Sequence, residues 1–183
     1  MFEEMMVRNC APTLAGIKVG SLFNCTCLSG RDVFDRIRSL NNRLLSHGIR
    51  IIPLSSTERS TLVYVYRPDQ LDEYLSQDNV KSILDDLNYP TEDSDLCVRE
   101  LVDRLYEQDV FPHEIGLFLG YPAQDVKGFM EHHAKGCKCT GCWKVYGDER
   151  EAQKLFERYR KCTDIYCRLY GRGRSLEKLT MTA

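Results

Sequence analysis

Ile49-Arg50-Ile51-Ile52-Pro53-Leu54 and Thr61-Leu62-Val63-Tyr64-Val65-Tyr66-Arg67 are two β-rich runs on either side of the polar stretch Ser55–Ser60. Branched and aromatic residues flanking a short polar segment predict an antiparallel hairpin. In the second run, Leu62 to Tyr66 fit a strand with a buried face. Upstream, Ser21 to Leu28 alternates, with Leu22, Asn24 and Thr26 on one side and Phe23, Cys25 and Cys27 on the other, so a further strand is expected. Between it and the hairpin, Gly30 to His47 reads as a helix. Val33, Ile37, Leu40, Leu44 and Leu45 form its apolar stripe, Arg36, Arg38 and Arg43 lie off it, and Gly48 ends it.

The segments before and after are helical in character. Residues 1–9 read as a short helix or a loose start, and Cys10 stands at or before the first residue of a turn begun by Pro12. After Pro68, residues 69–88 carry helical spacing in two pieces. Ser94 to Asp109 starts with a Ser/Asp cap and turns Leu96, Val98, Leu101, Val102 and Leu105 inward. Phe111-Pro-His-Glu-Ile-Gly-Leu-Phe-Leu-Gly-Tyr-Pro122 joins the two halves of the chain, with helices expected at about 113–119 and 122–133. Cys142 to Tyr146 reads as a short strand, and Asp148 caps a long final helix. The β-α-β-β-helical insertion-β-α order predicts an α+β fold, a small mostly antiparallel sheet packed with helices. Residues 1–170 are expected as a single domain and 171–183 as a flexible C-terminal tail.

Hydrophobic residues make up 43% and charged residues 28% of the 183, which is ordinary for a folded domain with its own core. A net charge of −2 provides no general attraction to nucleic acid or anionic lipid, so neither is expected as a partner. Glu3 and Glu4 follow Met1 where a secretory leader needs basic residues, and no run approaches the length of a membrane span. A cytoplasmic location is the expectation. Nine cysteines, an odd number, then argue for reduced thiols over a disulfide framework.

Two groups of residues are candidates for chemistry. Cys10 ahead of a turn and the loop residue His113 suit a thiolate–imidazole pair, because a helix N-terminus or an imidazole lowers a thiol's pKa. Asn9, Glu114 or Asp125 would orient the ring. The alternative has Cys10 as a packed small residue and His113 as a helix cap. The second group is His132, His133, Cys137, Cys139 and Cys142, within eleven residues. Cys139-x-x-Cys142 has knuckle spacing for zinc or iron, Gly141 supplies backbone freedom, and Cys162 and Cys167 complete a site only if the fold brings them near. The alternatives are reduced, unligated thiols or a redox dithiol. Trp143, Tyr146 and Tyr121 read as core or rim packing, or as walls of a flat-cofactor pocket such as one for haem or flavin.

Four blocks are shared with a known family. Cys10-Ala-Pro-Thr-Leu-Ala-Gly-Ile-Lys18, Val63-Tyr-Val-Tyr-Arg-Pro68, Phe111 to Pro122 with Asp125-Val-Lys-Gly-Phe129, and Trp143-Lys-Val-Tyr-Gly-Asp148 resemble signature blocks of the DUF3793 family, uncharacterised proteins of Clostridia and related anaerobic Firmicutes. The resemblance covers nearly the whole chain and implies one domain in an anaerobic host. It also implies a role near iron or electron handling, with a flavodoxin-like or iron-transport partner. The Cys10 and His113 blocks fall within the family pattern. Two functional readings follow: a cysteine-dependent Cys10/His113 site in iron- or redox-related metabolism, or a non-enzymatic metal-handling or interaction protein using Cys137–Cys142.

Overall fold

The computed structural model describes residues 1–26, 30–107 and 111–180. In chain order the first elements are α1 (Phe2–Leu14), β1 (Gly20–Cys25), α2 (Gly30–Leu44) with a 3-10 turn at Leu45–His47, β2 (Arg50–Ser56) and β3 (Thr61–Tyr66). Then come α3 (Pro68–Leu75), α4 (Asp78–Asp86), α5 (Ser94–Glu107), α6 (Ile115–Phe118) and α7 (Ala123–His132). A short hairpin, β4 (Cys139–Thr140) and β5 (Lys144–Val145), precedes α8 (Glu149–Gly171) and α9 (Leu176–Thr180). The fold is α+β, with a small antiparallel sheet among helices, as the sequence predicts.

The chain divides into two compact units, Met1–Asp69 with Tyr159–Ala183, and Gln70–Arg158. Both boundaries fall inside helices, α3 and α8, where no linker composition marks them.

In the first unit β3 is central, and β1 and β2 pair with it antiparallel on either side. Val63 and Val65 share a face with Phe23 and Ile51. On this face they join Met6, Cys10 and Leu14 of α1, Val33, Ile37, Leu40 and Leu44 of α2, and Leu176 and Leu179 of α9 in one buried cluster. Each of these aliphatic side chains contributes about 1.5–3 kcal/mol when fully buried. The other face of β3 carries Tyr64 and Tyr66, stacked at 4.6 Å and both buried.

Arg67, immediately after β3, is 9% exposed, and its guanidinium reaches only main-chain oxygens. Nε donates to Thr13 O at 2.8 Å, Nη2 to Leu14 O at 2.6 Å and Thr180 O at 3.3 Å, and Nη1 to His47 O at 3.3 Å. These carbonyls end α1, the 3-10 turn and α9, where helices carry partial negative charge. Nearer the surface, Arg43 of α2 pairs with Glu3 at 2.7 Å and Glu177 at 2.6 Å.

At the outer edge of β2, the Asn41 side chain accepts from Ile51 N at 2.9 Å and donates to Ile51 O at 2.8 Å. Two residues on, Pro53 precedes a register shift that gives β2 an extra residue, the buried Leu54.

Several expectations are corrected here. α1 is one helix with Pro12 inside it, so Cys10 lies deep in the helix and not at an N-terminus. Leu45 and Leu96 face out, at 49% and 42% exposure, because each lies one position off its helix's buried stripe. The last strand does not join the main sheet: β5 pairs with β4 alone. Beyond α8, residues 176–180 are helical, with Leu176, Leu179 and Thr180 buried. Cys27, Leu28, residues 108–110 and residues 181–183 lie outside the described residues. The anticipated caps at Asp148 and Gly48 are present, whereas α5 is capped by Asp93, one residue before the expected Ser94/Asp95. Asp93 Oδ1 accepts from Asp95 N and Leu96 N ahead of α5, Asp148 Oδ1 does the same for Arg150 N and Glu151 N in α8, and Gly48 takes φ 69°.

Candidate functional site

The Phe111–Pro122 block and the segments after it build one end of the second unit. Glu114 precedes α6, and Pro122 is the N-cap of α7, its carbonyl accepting from Asp125 N and Val126 N. One turn into α7, Asp125 is 3% exposed, a buried carboxylate that needs partners. Its Oδ2 accepts from Trp143 Nε1 at 2.7 Å, and its Oδ1 from Tyr146 N at 2.8 Å and Gly147 N at 2.7 Å. One carboxylate thereby locks the β5 segment against α7. Close backbone approach helps: a Cβ on Gly128 would fall 2.5 Å from the Tyr146 ring, and one on Gly141 2.3 Å from Phe156. Gly141 is therefore required for space beside an aromatic ring and not for a metal knuckle.

Trp143, fixed by this bond, stacks on Tyr121 at 4.7 Å and meets Phe156 edge-on at 4.6 Å. The Tyr74 hydroxyl donates to the Tyr121 carbonyl and secures that residue's backbone. A cavity of about 410 Å³ opens against the pair, walled also by Phe111, His113, Val126 and Phe129. The His113 ring lies edge-on to Phe129 at 4.9 Å and 5.9 Å from the His133 ring.

The residues expected to orient His113 are engaged elsewhere. Asp125 holds Trp143. Glu114, 7% exposed, accepts from the Tyr89 hydroxyl at 2.9 Å and from Arg104 Nη1 at 3.4 Å, and Arg104 also stacks 4.1 Å over the Tyr89 ring. Asn9 donates to Met5 O within α1.

Cys10 belongs to the first unit and His113 to the second. The Cys10 thiol is fully buried, and burial pushes its pKa up to about 12, with Lys18 opposing weakly. Burial thus leaves far less thiolate at neutral pH than an ordinary thiol has, the reverse of nucleophile activation. Iodoacetamide added to the native protein near pH 7 is therefore expected to label the exposed Cys142 first and the buried Cys10, Cys25 and Cys97 last among the described cysteines. Peptide mass mapping over time checks the order, and early labelling of Cys10 would contradict this environment.

The eight described cysteines form no disulfide. Cys137, Cys139 and Cys142 lie on and around the β4–β5 hairpin, and His132 and His133 at the end of α7. Among the described residues, no group of three or more His, Cys, Asp or Glu side chains is arranged to hold a metal ion. Cys137 Sγ lies 3.9 Å from Thr140 Oγ1. Partial burial and the adjacent Glu149 carboxylate push the Cys139 thiol up. Tyr121 and Trp143 carry no local spacing signal for a site in the sequence. It is nevertheless these two that meet His113 around a cavity.

No helix among the described residues is long and apolar enough to cross a membrane. No curated protein matches the chain, and no solved structure matches it. A family model described as a protein of unknown function, DUF3793, matches residues 6–180, a span that includes all four shared sequence blocks. The chain belongs to the DUF3793 family.

Proposed function

We propose that the second unit is a binding module for a flat, largely apolar small molecule, with His113 and Lys144 as polar groups at the wall. The observation that carries the reading is the stacked Tyr121–Trp143 pair facing the same 410 Å³ cavity as the His113 ring. Ligand pockets fall in the range of about 300–1,000 Å³ and combine apolar walls with few polar groups. Aromatic faces bind flat molecules by offset stacking, and Asp125 fixes the indole before a ligand arrives, so little ordering is left to do on binding. The reading keeps His113 from the sequence-based candidates and assigns no part to Cys10, whose thiol is buried in the first unit's core. It takes nothing from the iron or electron handling that the family resemblance implies.

N-phenyl-1-naphthylamine, a flat neutral dye that brightens in apolar surroundings, tests the reading. Saturable one-to-one binding is expected, with quenching of Trp143, the chain's one tryptophan. Tyr121→Ala removes half of the stack but keeps the carbonyl that Tyr74 uses, and it should weaken the dye about tenfold, or about 1.4 kcal/mol. Absence of saturation, or indifference to Tyr121→Ala, overturns the proposal.

A further inference from the structure

A second concavity, of about 800 Å³, lies on the same unit and is chemically unlike the first. Lys127, Glu131 and His132 of α7 line it, together with His133, Lys135 and Tyr146. Lys127 and Lys135 have no ion-pair partner among the described residues, whereas Glu131 faces His132 at 3.9 Å. Two unpaired ammonium groups against one carboxylate leave the concavity positive. Such a surface attracts anions, and lysine binds phosphate-like groups as a point charge. The Tyr146 hydroxyl is shielded from solvent and has no hydrogen-bond partner among the described residues, an unspent donor at the wall.

The two cavities share α7. Asp125, Val126 and Phe129 serve the apolar one, and Gln124, Lys127 and Glu131 the charged one. They also meet at a pair of imidazoles: His113 walls the first, His133 the second, and the rings are 5.9 Å apart. We infer that the two form one bipartite site for an aromatic anion, its flat body against Tyr121 and Trp143 and its phosphate, sulfonate or carboxylate toward Lys127 and Lys135. This rests on the apolar-pocket reading and names the ligand class for it. Lys127 and Lys135 are exposed and take no part in the buried core.

The test pairs two dyes that differ only in charge. 8-Anilinonaphthalene-1-sulfonate is N-phenyl-1-naphthylamine with a sulfonate added, so their affinity ratio isolates the anionic group. The sulfonated dye is expected to bind the native full-length chain about tenfold more tightly, an advantage that salt reduces. The double variant Lys127→Met with Lys135→Met should abolish that advantage and leave the neutral dye unchanged. Inorganic phosphate should compete with the sulfonated dye alone. Equal binding of the two dyes, or an advantage that survives the double variant, overturns the bipartite site while the apolar pocket stands. If neither dye saturates, the pocket reading fails first, and this inference with it.

Discussion

Arg67→Met is expected to cost roughly 3–5 kcal/mol of unfolding free energy, the range found when a buried charge loses its partners or the reverse. The methionine keeps much of the stem's volume and removes the fork that reaches Thr13 O, Leu14 O, His47 O and Thr180 O. Burial alone works against this guanidinium and lowers its pKa, and nearby Tyr166 opposes that only in part. Its retention therefore depends on the carbonyls, a hydrogen bond to a charged group contributing about 1.5–3 kcal/mol net. Urea unfolding followed by circular dichroism should show a lower midpoint with an unchanged slope. Arg67→Lys should recover less than half of the loss, because an ammonium cannot span three helix ends with a planar fork. A loss below about 1 kcal/mol for the methionine variant would remove Arg67 as the tie between those ends.

Asp125→Asn should destabilise by about 2–4 kcal/mol, because it removes the charge and turns an amide N–H toward a donor. With three donors around the carboxylate, no orientation of an amide satisfies Trp143 Nε1, Tyr146 N and Gly147 N together. The loss should appear in Trp143 fluorescence as a lower urea midpoint. Below that midpoint the dye affinity should fall too, since the indole that walls the cavity is no longer fixed. Normal dye binding together with normal stability would show that Trp143 is positioned by packing against Tyr121 and Phe156 alone.

The sequence disclosed whatever is written in local spacing. The stripe Val33, Ile37, Leu40, Leu44 gave α2, the β-rich runs gave β2 and β3, and the Asp148 cap gave the start of α8. It disclosed less where tertiary burial overrides local preference. Pro12 suggests a helix beginning, yet α1 continues through it because Phe2, Met6, Val7, Cys10 and Leu14 all bury on one body. That same burial reverses the expected chemistry of Cys10. At the other end, two leucines in a polar stretch gave no visible period, although Leu176 and Leu179 bury completely enough to hold α9. The site was half legible. His113 was marked by its loop, but Asp125 works through partners 18 to 22 residues away, a separation that no local pattern records.

The Asn41 amide on β2 has a consequence for how the folded chain behaves when crowded. A free strand edge is a template on which another chain can add, and exposed edges seed edge-to-edge aggregation. Here a side-chain amide already occupies both main-chain groups of Ile51, and Pro53 has no N–H to offer a newcomer. The extra residue at Leu54 then breaks the even spacing that an incoming strand would have to match. Growth of the sheet past β2 is refused at three successive points. Concentrated folded protein is thereby protected on that side by geometry, with no help from its small net charge.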